Sequence, residues 1–434
     1  MRTEGHIKGG NRMMRRRWIV TALAAAALTA GMSMTALAEG WVTKDNGQWG
    51  YQEKDGSWAT DVWRKDTAGK YYYLDSNGNM AVNQLIDGTY YVNQNGVMVT
   101  ETWVQIPDEW DGNLEWYYFR DNGAVVESGW RTIGGVKYYF EDSKMVTGWQ
   151  DIDDSVYYFK DSGAMATGWQ LLDQRDGDDS GWGEQVWYYF STTGKMSASK
   201  EQRINGHTYI FDSQGRMLTG WVDPVNFTSS KYGNVGDDIN VLRYHNDDGS
   251  GADGWKYIYN IDETEESWYY FRDGQAYSTS YKGKALDDEY ALASIDGKTY
   301  CFRADGRMYT GLLELDDGRV YYFDESGVMK TGRVVVNDED HDNEVFYFTS
   351  SGSLGNKGDG VTGVQNGYLY EDGALVHAEE GMTYEIKEVD GKQYLVNESG
   401  KVKTSGTARD ADGVKYRVTK NSDGSYNITI EEDD

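Results

Sequence analysis

The sequence predicts an all-β protein, a β-hairpin solenoid of roughly 20-residue repeats. Three observations predict it. An aromatic triplet returns along the chain as Tyr117-Tyr118-Phe119, Tyr138-Tyr139-Phe140, Tyr157-Tyr158-Phe159, Tyr188-Tyr189-Phe190, Tyr269-Tyr270-Phe271 and Tyr321-Tyr322-Phe323. The first three triplets start 21 and 19 residues apart, too close for a two-helix repeat and enough for one small hairpin with its connection. Each triplet runs into a turn signal, such as Asp121-Asn122-Gly123, Asp161-Ser162-Gly163 or Glu325-Ser326-Gly327. A methionine then stands four residues before a tryptophan, as in Met145 and Trp149, Met165 and Trp169, Met217 and Trp221.

Taken in order, residues 1–38 read as an export signal, with Arg15-Arg16-Arg17, an Ala/Leu-rich apolar run and Ala36-Leu37-Ala38 as the small-residue cleavage pattern. An uncleaved membrane anchor is the alternative, and no later stretch is apolar enough to span a membrane. Residues 39–221 form a Trp-rich array. Residues 222–268 hold an irregular polar insertion and one hairpin. Residues 269–380 keep the repeat frame without tryptophan, because all 16 tryptophans lie at or before Trp268. There Leu312 and Arg333 stand where Trp is expected. Residues 381–434 read as degenerate terminal repeats that cap the array.

Composition excludes several classes of function. The formal net charge is −29, and becomes −34 without residues 1–38, which carry six basic side chains and one acidic one. So acidic a surface argues against nucleic acid, which needs Lys and Arg to displace counterions. The lone Cys301 excludes an intrachain disulfide and a thiolate metal site. Aromatic rings must therefore hold the array together. Only two prolines occur, as expected of paired strands that cannot spare an N–H.

The unit Gly-Trp, a short spacer, x-Tyr-Tyr-Phe, a turn glycine and Met-x-Thr-Gly-Trp, complete at residues 148–169, resembles the cell-wall-binding repeats of choline-binding proteins. It is similar also to the repeats of clostridial toxin C-terminal regions and streptococcal glucan-binding domains. The resemblance covers nearly all of residues 41–380. It implies a non-catalytic exported protein, secreted to the cell wall or cell surface, that attaches multivalently to choline on wall teichoic acids. Binding of wall or extracellular glycan on exposed Trp and Tyr faces is the alternative it leaves open. In the choline-binding members the ligand sits between neighbouring hairpins in a cage of rings, often with a methionine nearby.

The physical basis is independent of the family. A quaternary ammonium has no proton to donate, so aromatic faces and apolar contact recognise it. Strand alternation puts the residue before the doublet and the second doublet residue on one face. A cage is then expected from the Gly-Trp ring, the ring before the doublet and the second doublet ring of the next hairpin. This rule completes three sets: Trp41, Trp49 and Tyr73; Trp63, Tyr71 and Tyr91; Trp103, Trp116 and Tyr139. It leaves others damaged. Trp130 and Tyr158 flank Lys137, Trp149 and Tyr189 flank Val156, Trp169 and Trp187 meet Ile210, and Trp255 and Trp268 meet Cys301.

Much of the aromatic content has a plainer use. In hairpins this small, most Tyr and Phe are packing, and the methionines fill gaps. The acidic loops 173–179 and 338–342 are solvated turns without the Asp-x-Asp-x-Asp-Gly order of a calcium loop, so neither metal nor cofactor is expected. No Gly-x-Ser-x-Gly or His-Glu-x-x-His occurs, and His207, His245, His341 and His377 are scattered over separate repeats. The expectation is a binding protein, not an enzyme.

Overall fold

The computed structural model describes residues 39–175, 185–338, 340–354 and 356–431. The expected export signal, part of the acidic loop 173–179 and the last three residues of the cap lie outside the described residues. Every regular element described is a β-strand, from Gly40–Thr43 to Tyr426–Glu431, and all strand pairing is antiparallel. The fold class is therefore the expected one.

The strands Gly148–Ile152 and Ser155–Phe159 illustrate the repeat. They pair in the register Gly148↔Phe159, Trp149↔Tyr158 and Ile152↔Ser155. The connecting residues Asp153 and Asp154 both take positive φ, 48° and 56°. That is the requirement of a two-residue I′ turn, whose twist matches the strands it joins. Asn205-Gly206 and Asp296-Gly297 repeat the device elsewhere.

After each hairpin the chain turns again and folds back. At this second turn a side-chain oxygen caps backbone N–H groups, as Asp324 Oδ1 accepts from Ser326 and Val328. The returning methionine then bonds to the preceding hairpin. The Met165 N–H donates to the carbonyl of Lys137, that of Met196 to Val156 and that of Met217 to Trp187, each at 2.9 Å. Its sulfur packs against the turn of the following hairpin: a Cβ on Gly194, already at φ 85°, would meet Met165 Sδ at 2.3 Å. Glycine is required there twice over, for its conformation and for its lack of a side chain.

Neighbouring hairpins stack with opposite faces in contact. One face of a hairpin carries the Gly-Trp ring and the second doublet tyrosine, paired across the strands as Trp149↔Tyr158 and Trp169↔Tyr189. The other carries the first doublet tyrosine and the phenylalanine. Trp149 and Tyr158 pack on Tyr188 and Phe190 of the next hairpin, and Trp169 and Tyr189 on Phe211. The triplet phenylalanines Phe119, Phe140, Phe159, Phe190, Phe271 and Phe323 are accordingly fully buried.

The described residues divide into two compact units, 39–128 with Phe140–Met145, and Gly129–Tyr139 with 146–431. Within the second unit, the insertion expected as a polar loop supplies core instead. Val235, Ile239 and Leu242 are buried with Trp221, Tyr269 and Phe271. Toward the C-terminus, strands Gly406–Arg409, Lys415–Lys420 and Tyr426–Glu431 form one three-stranded sheet. Among the described residues no helix is long and apolar enough to cross a membrane.

Candidate ligand-binding site

Two repeat interfaces place three kinds of ring together. The Gly-Trp ring is half-buried and touches the next hairpin, while the ring before the doublet projects outward. Trp169 and Trp187 lie 6.4 Å apart at 89°, and Tyr209 of the next hairpin stands 4.8 Å from Trp169. Trp255 and Trp268 repeat this at 6.4 Å and 82°, with Tyr300 at 4.7 Å from Trp255. In the first unit Trp63, Tyr71, Tyr90 and Met98 line a groove of about 780 Å³. The outward rings Tyr71, Trp187 and Trp268 are 41%, 41% and 44% exposed. Two rings at right angles with a third beside them make a corner, not a flat platform.

The ring that closes each set differs from the expected one by one residue. Trp41 meets Tyr72 at 5.0 Å, whereas Tyr73 packs on Trp63 of its own hairpin at 5.2 Å. Trp63 meets Tyr90 at 5.5 Å, and Tyr91 pairs across its own strands with Leu85. Trp130 meets Tyr157 at 4.9 Å and Trp149 meets Tyr188 at 4.8 Å, in place of Tyr158 and Tyr189. Tyr139 packs on Trp130, and Trp103, 6.4 Å from Trp116, stacks on Phe140. Because hairpins stack face to opposite face, the incoming ring is the first doublet tyrosine, which points the other way from the second.

This geometry reverses two further expectations. The sets thought to be broken by Ile210 and Cys301 are closed by Tyr209 and Tyr300, while Ile210 and Cys301 are fully buried on the opposite face. The Lys137 and Val156 positions carry no outward ring, so the Trp130 and Trp149 sets remain incomplete. Trp49 is exposed beside the first interface, but no ring contact joins it to Trp41 among the described residues. The methionines fill gaps over the turn glycines, as expected. Met98, Met217 and Met308 each donate a backbone N–H to the carbonyl of the outward ring, Tyr71, Trp187 and Trp268, at 2.8–2.9 Å. Period alone identifies which residues share a face; finding Tyr72, Tyr90, Tyr209 and Tyr300 needed the direction of stacking as well.

Burial raises the pKa of the Tyr209 phenol, and Asp248 adds to the shift; burial does the same at Tyr300, with Asp296 and Asp324 adding to it. The phenols are thus neutral, with carboxylates near enough to be felt. No group of three or more His, Cys, Asp or Glu that could hold a metal occurs among the described residues. His245 is buried with Nδ1 against the Gly249 carbonyl at 2.8 Å, and burial lowers its pKa.

Comparison with known families bears on these hairpins directly. The choline-binding repeat profiles match residues 57–98, 126–168, 146–178 and 292–333, and a cell wall binding repeat matches 115–125 and 185–196. The matched hairpins are choline-binding repeats. The chain is similar to glucosyltransferase-I of Streptococcus downei, 25% identical over 63% of this chain and 17% of that protein. Glucosyltransferase-S of Streptococcus mutans is 26% identical over 58% of this chain and 16% of its own length. The chain thus spans about a sixth of the length of these curated relatives. The crystal structure of choline binding protein F from Streptococcus pneumoniae covers 79% of this chain and 100% of that one at 22% identity, with a TM-score of 0.29. Of the sets described above, Trp63, Tyr71 and Tyr90 lie within one matched segment, Trp169 and Trp187 lie in two neighbouring ones, and Trp255 and Trp268 lie outside the matches.

Proposed function

We propose that this protein is a non-catalytic, exported attachment protein of the cell surface that holds wall polymers through several aromatic cages for choline. The observation that carries this reading is the right-angled pair of outward and Gly-Trp rings closed by a tyrosine of the next hairpin, at Trp169, Trp187 and Tyr209 and again at Trp255, Trp268 and Tyr300. A trimethylammonium head meets aromatic faces on three sides in such a corner, and each cation–π contact contributes about 0.5–2 kcal/mol. Three rings supply a few kcal/mol, so a single cage binds at about millimolar strength. Attachment then depends on several cages engaging one polymer. The acidic surface favours the cationic head over the polymer's phosphates.

Glycan binding is the second reading, supported by the two glucosyltransferase relatives and by Trp110, which is almost wholly exposed at a hairpin tip. Retention on an immobilised quaternary amine separates the two. Elution by free choline and not by neutral sugar is the expected result; failure to bind the resin, together with retention on a glucan matrix, would replace choline by glycan.

A further inference from the structure

We propose a second binding site on the strand pair Gly254–Tyr259 and Glu266–Arg272, centred on Tyr257 and Tyr259 beyond the Trp255–Trp268 cage and selective for a cationic sugar chain such as an oligomer of N-deacetylated glucosamine. Pairing places Trp255 across from Tyr270, Tyr257 across from Trp268 and Tyr259 across from Glu266. Strand alternation puts all six on one face. The Trp255 end of this face turns into a cage. Its other end continues outward on Tyr257 and Tyr259, which are 52% and 55% exposed, more than any cage ring. Tyr257 leans on Trp268 at 5.3 Å and 48°. From Trp255 to Tyr259 the strip runs about 13 Å, at about 3.3 Å per residue, long enough for a short oligosaccharide.

The repeat itself does not ask for these rings. At the Tyr257 position other hairpins carry Gln105 and Leu171, and at the Tyr259 position Pro107 and Asp173. An exposed aromatic strip that packing does not explain marks a binding surface. Tyr257, tilted at 48° to Trp268, and Tyr259 are more than half exposed, so they offer platforms for the C–H faces of pyranose rings and do not enclose a quaternary ammonium.

Charge decides which sugar. Glu266 closes the outer end of the strip, and the adjoining turn adds Asp262, Glu263 and Glu265. Arg307 is paired with Glu265, whereas no ion pair holds Glu266 among the described residues. A carboxylate beside a stacking ring binds an ammonium by a charge-assisted hydrogen bond and repels an anionic glycan. Neutral sugars would use the rings alone. The match is therefore to a chain whose sugars carry amino groups, and it does not depend on whether the cages bind choline.

The test is calorimetric titration of the full chain, at mildly acidic pH and low salt, with glucosamine tetrasaccharide, its N-acetylated counterpart and tetralysine, and with choline in parallel. The glucosamine tetrasaccharide should bind about tenfold more tightly than the acetylated one. Tyr257→Ala with Tyr259→Ala should weaken it by about tenfold or more, and Glu266→Gln should weaken it while leaving the acetylated sugar unchanged. Trp268 stays in place, so unchanged choline stoichiometry in these variants reports an intact array. Equal affinity for the two sugars, equal affinity for tetralysine, or an unaltered double-tyrosine variant would overturn the proposal. Loss of choline binding in the parent alone would sink the cage reading and leave this one standing.

Discussion

Where the strands Gly168–Asp173 and Gln185–Phe190 meet the next hairpin, Trp169 packs on Tyr189, Tyr209 and Phe211 within 4.8–5.8 Å, whereas Trp187 touches Trp169 and projects into solvent. The two indoles should separate experimentally. Trp169→Ala removes core and cage together and should cost about 3 kcal/mol or more, the usual range for a truncated core aromatic. Trp187→Ala should cost under about 1 kcal/mol, as surface changes do, yet remove one choline equivalent. Thermal melts and calorimetric stoichiometry on both variants check this; a large loss of stability in Trp187→Ala would make that ring core. Cys301 offers a second residue-scale test. Burial pushes its thiol up to about 12, so in the native protein a thiol reagent at neutral pH should leave it unmodified and should label it fully once denaturant unfolds the chain. Rapid native labelling would place Cys301 nearer the surface and reopen the stacking direction. Of the residues in this paragraph, the tryptophans could be read from their motif, while the burial of Cys301 could not, because one strand position faces a cage or a core according to how hairpins stack.

At the scale of one hairpin, the backbone is uniform and the outward position varies. The carbonyl of that position accepts the next methionine's N–H whether the residue is Trp187, Val156 or Lys137. A side chain can therefore be exchanged there without touching the frame. Lys137→Trp should complete a set with Trp130 and Tyr157, which already meet at 4.9 Å, and remove a charge that opposes a cationic ligand. Choline titration should show one added equivalent; unchanged stoichiometry in a variant as stable as the parent would mean that these rings do not bind choline. The turn is the opposite case. Gly194→Ala places a methyl group 2.3 Å from Met165 Sδ at a positive φ, and should cost more than about 1 kcal/mol, the scale of an ordinary glycine-to-alanine backbone effect. A chemical denaturation curve indistinguishable from the parent's would show that Met165 yields freely. The turn glycines and the hairpins were legible because their φ and spacing requirements are local. The contact between methionine and the neighbouring turn joins residues about thirty positions apart and leaves no local trace.

For the whole chain, cages should matter by number, because linked weak sites multiply one another's affinity. The corners that contain tryptophan all lie at or before Tyr300, and residues 311–431 carry Leu312 and Arg333 at the Gly-Trp position. A fragment of residues 39–310 should sediment with purified walls nearly as well as the chain from residue 39 to its end, in a choline-sensitive manner, while residues 311–434 should bind poorly. The cut falls after Met308, since Trp255 needs Tyr300 and Met308 from the following hairpin. Equal, choline-insensitive sedimentation of both fragments would assign attachment to something the Trp-less repeats share. The polar insertion belongs to this scale as well. Its composition suggested an irregular segment, but Val235, Ile239 and Leu242 close over Trp221, and their spacing matches neither a strand nor the repeat, so only the folded chain brings them together.

The amino-acid sequence by itself determined that this protein is a succession of antiparallel hairpins, where each turn lies and which rings share a strand face. These follow from local rules: positive φ at Asp and Gly turns, the alternation of side chains along a strand, and the burial of each triplet phenylalanine. The tertiary structure decided which ring of the next hairpin closes each corner, that Tyr209 and Tyr300 complete two sets, and that the insertion is core. A period of two names the members of a face without saying which face the neighbour will present, and that choice is made only when one hairpin packs its Trp and Tyr against the first tyrosine and phenylalanine of the next.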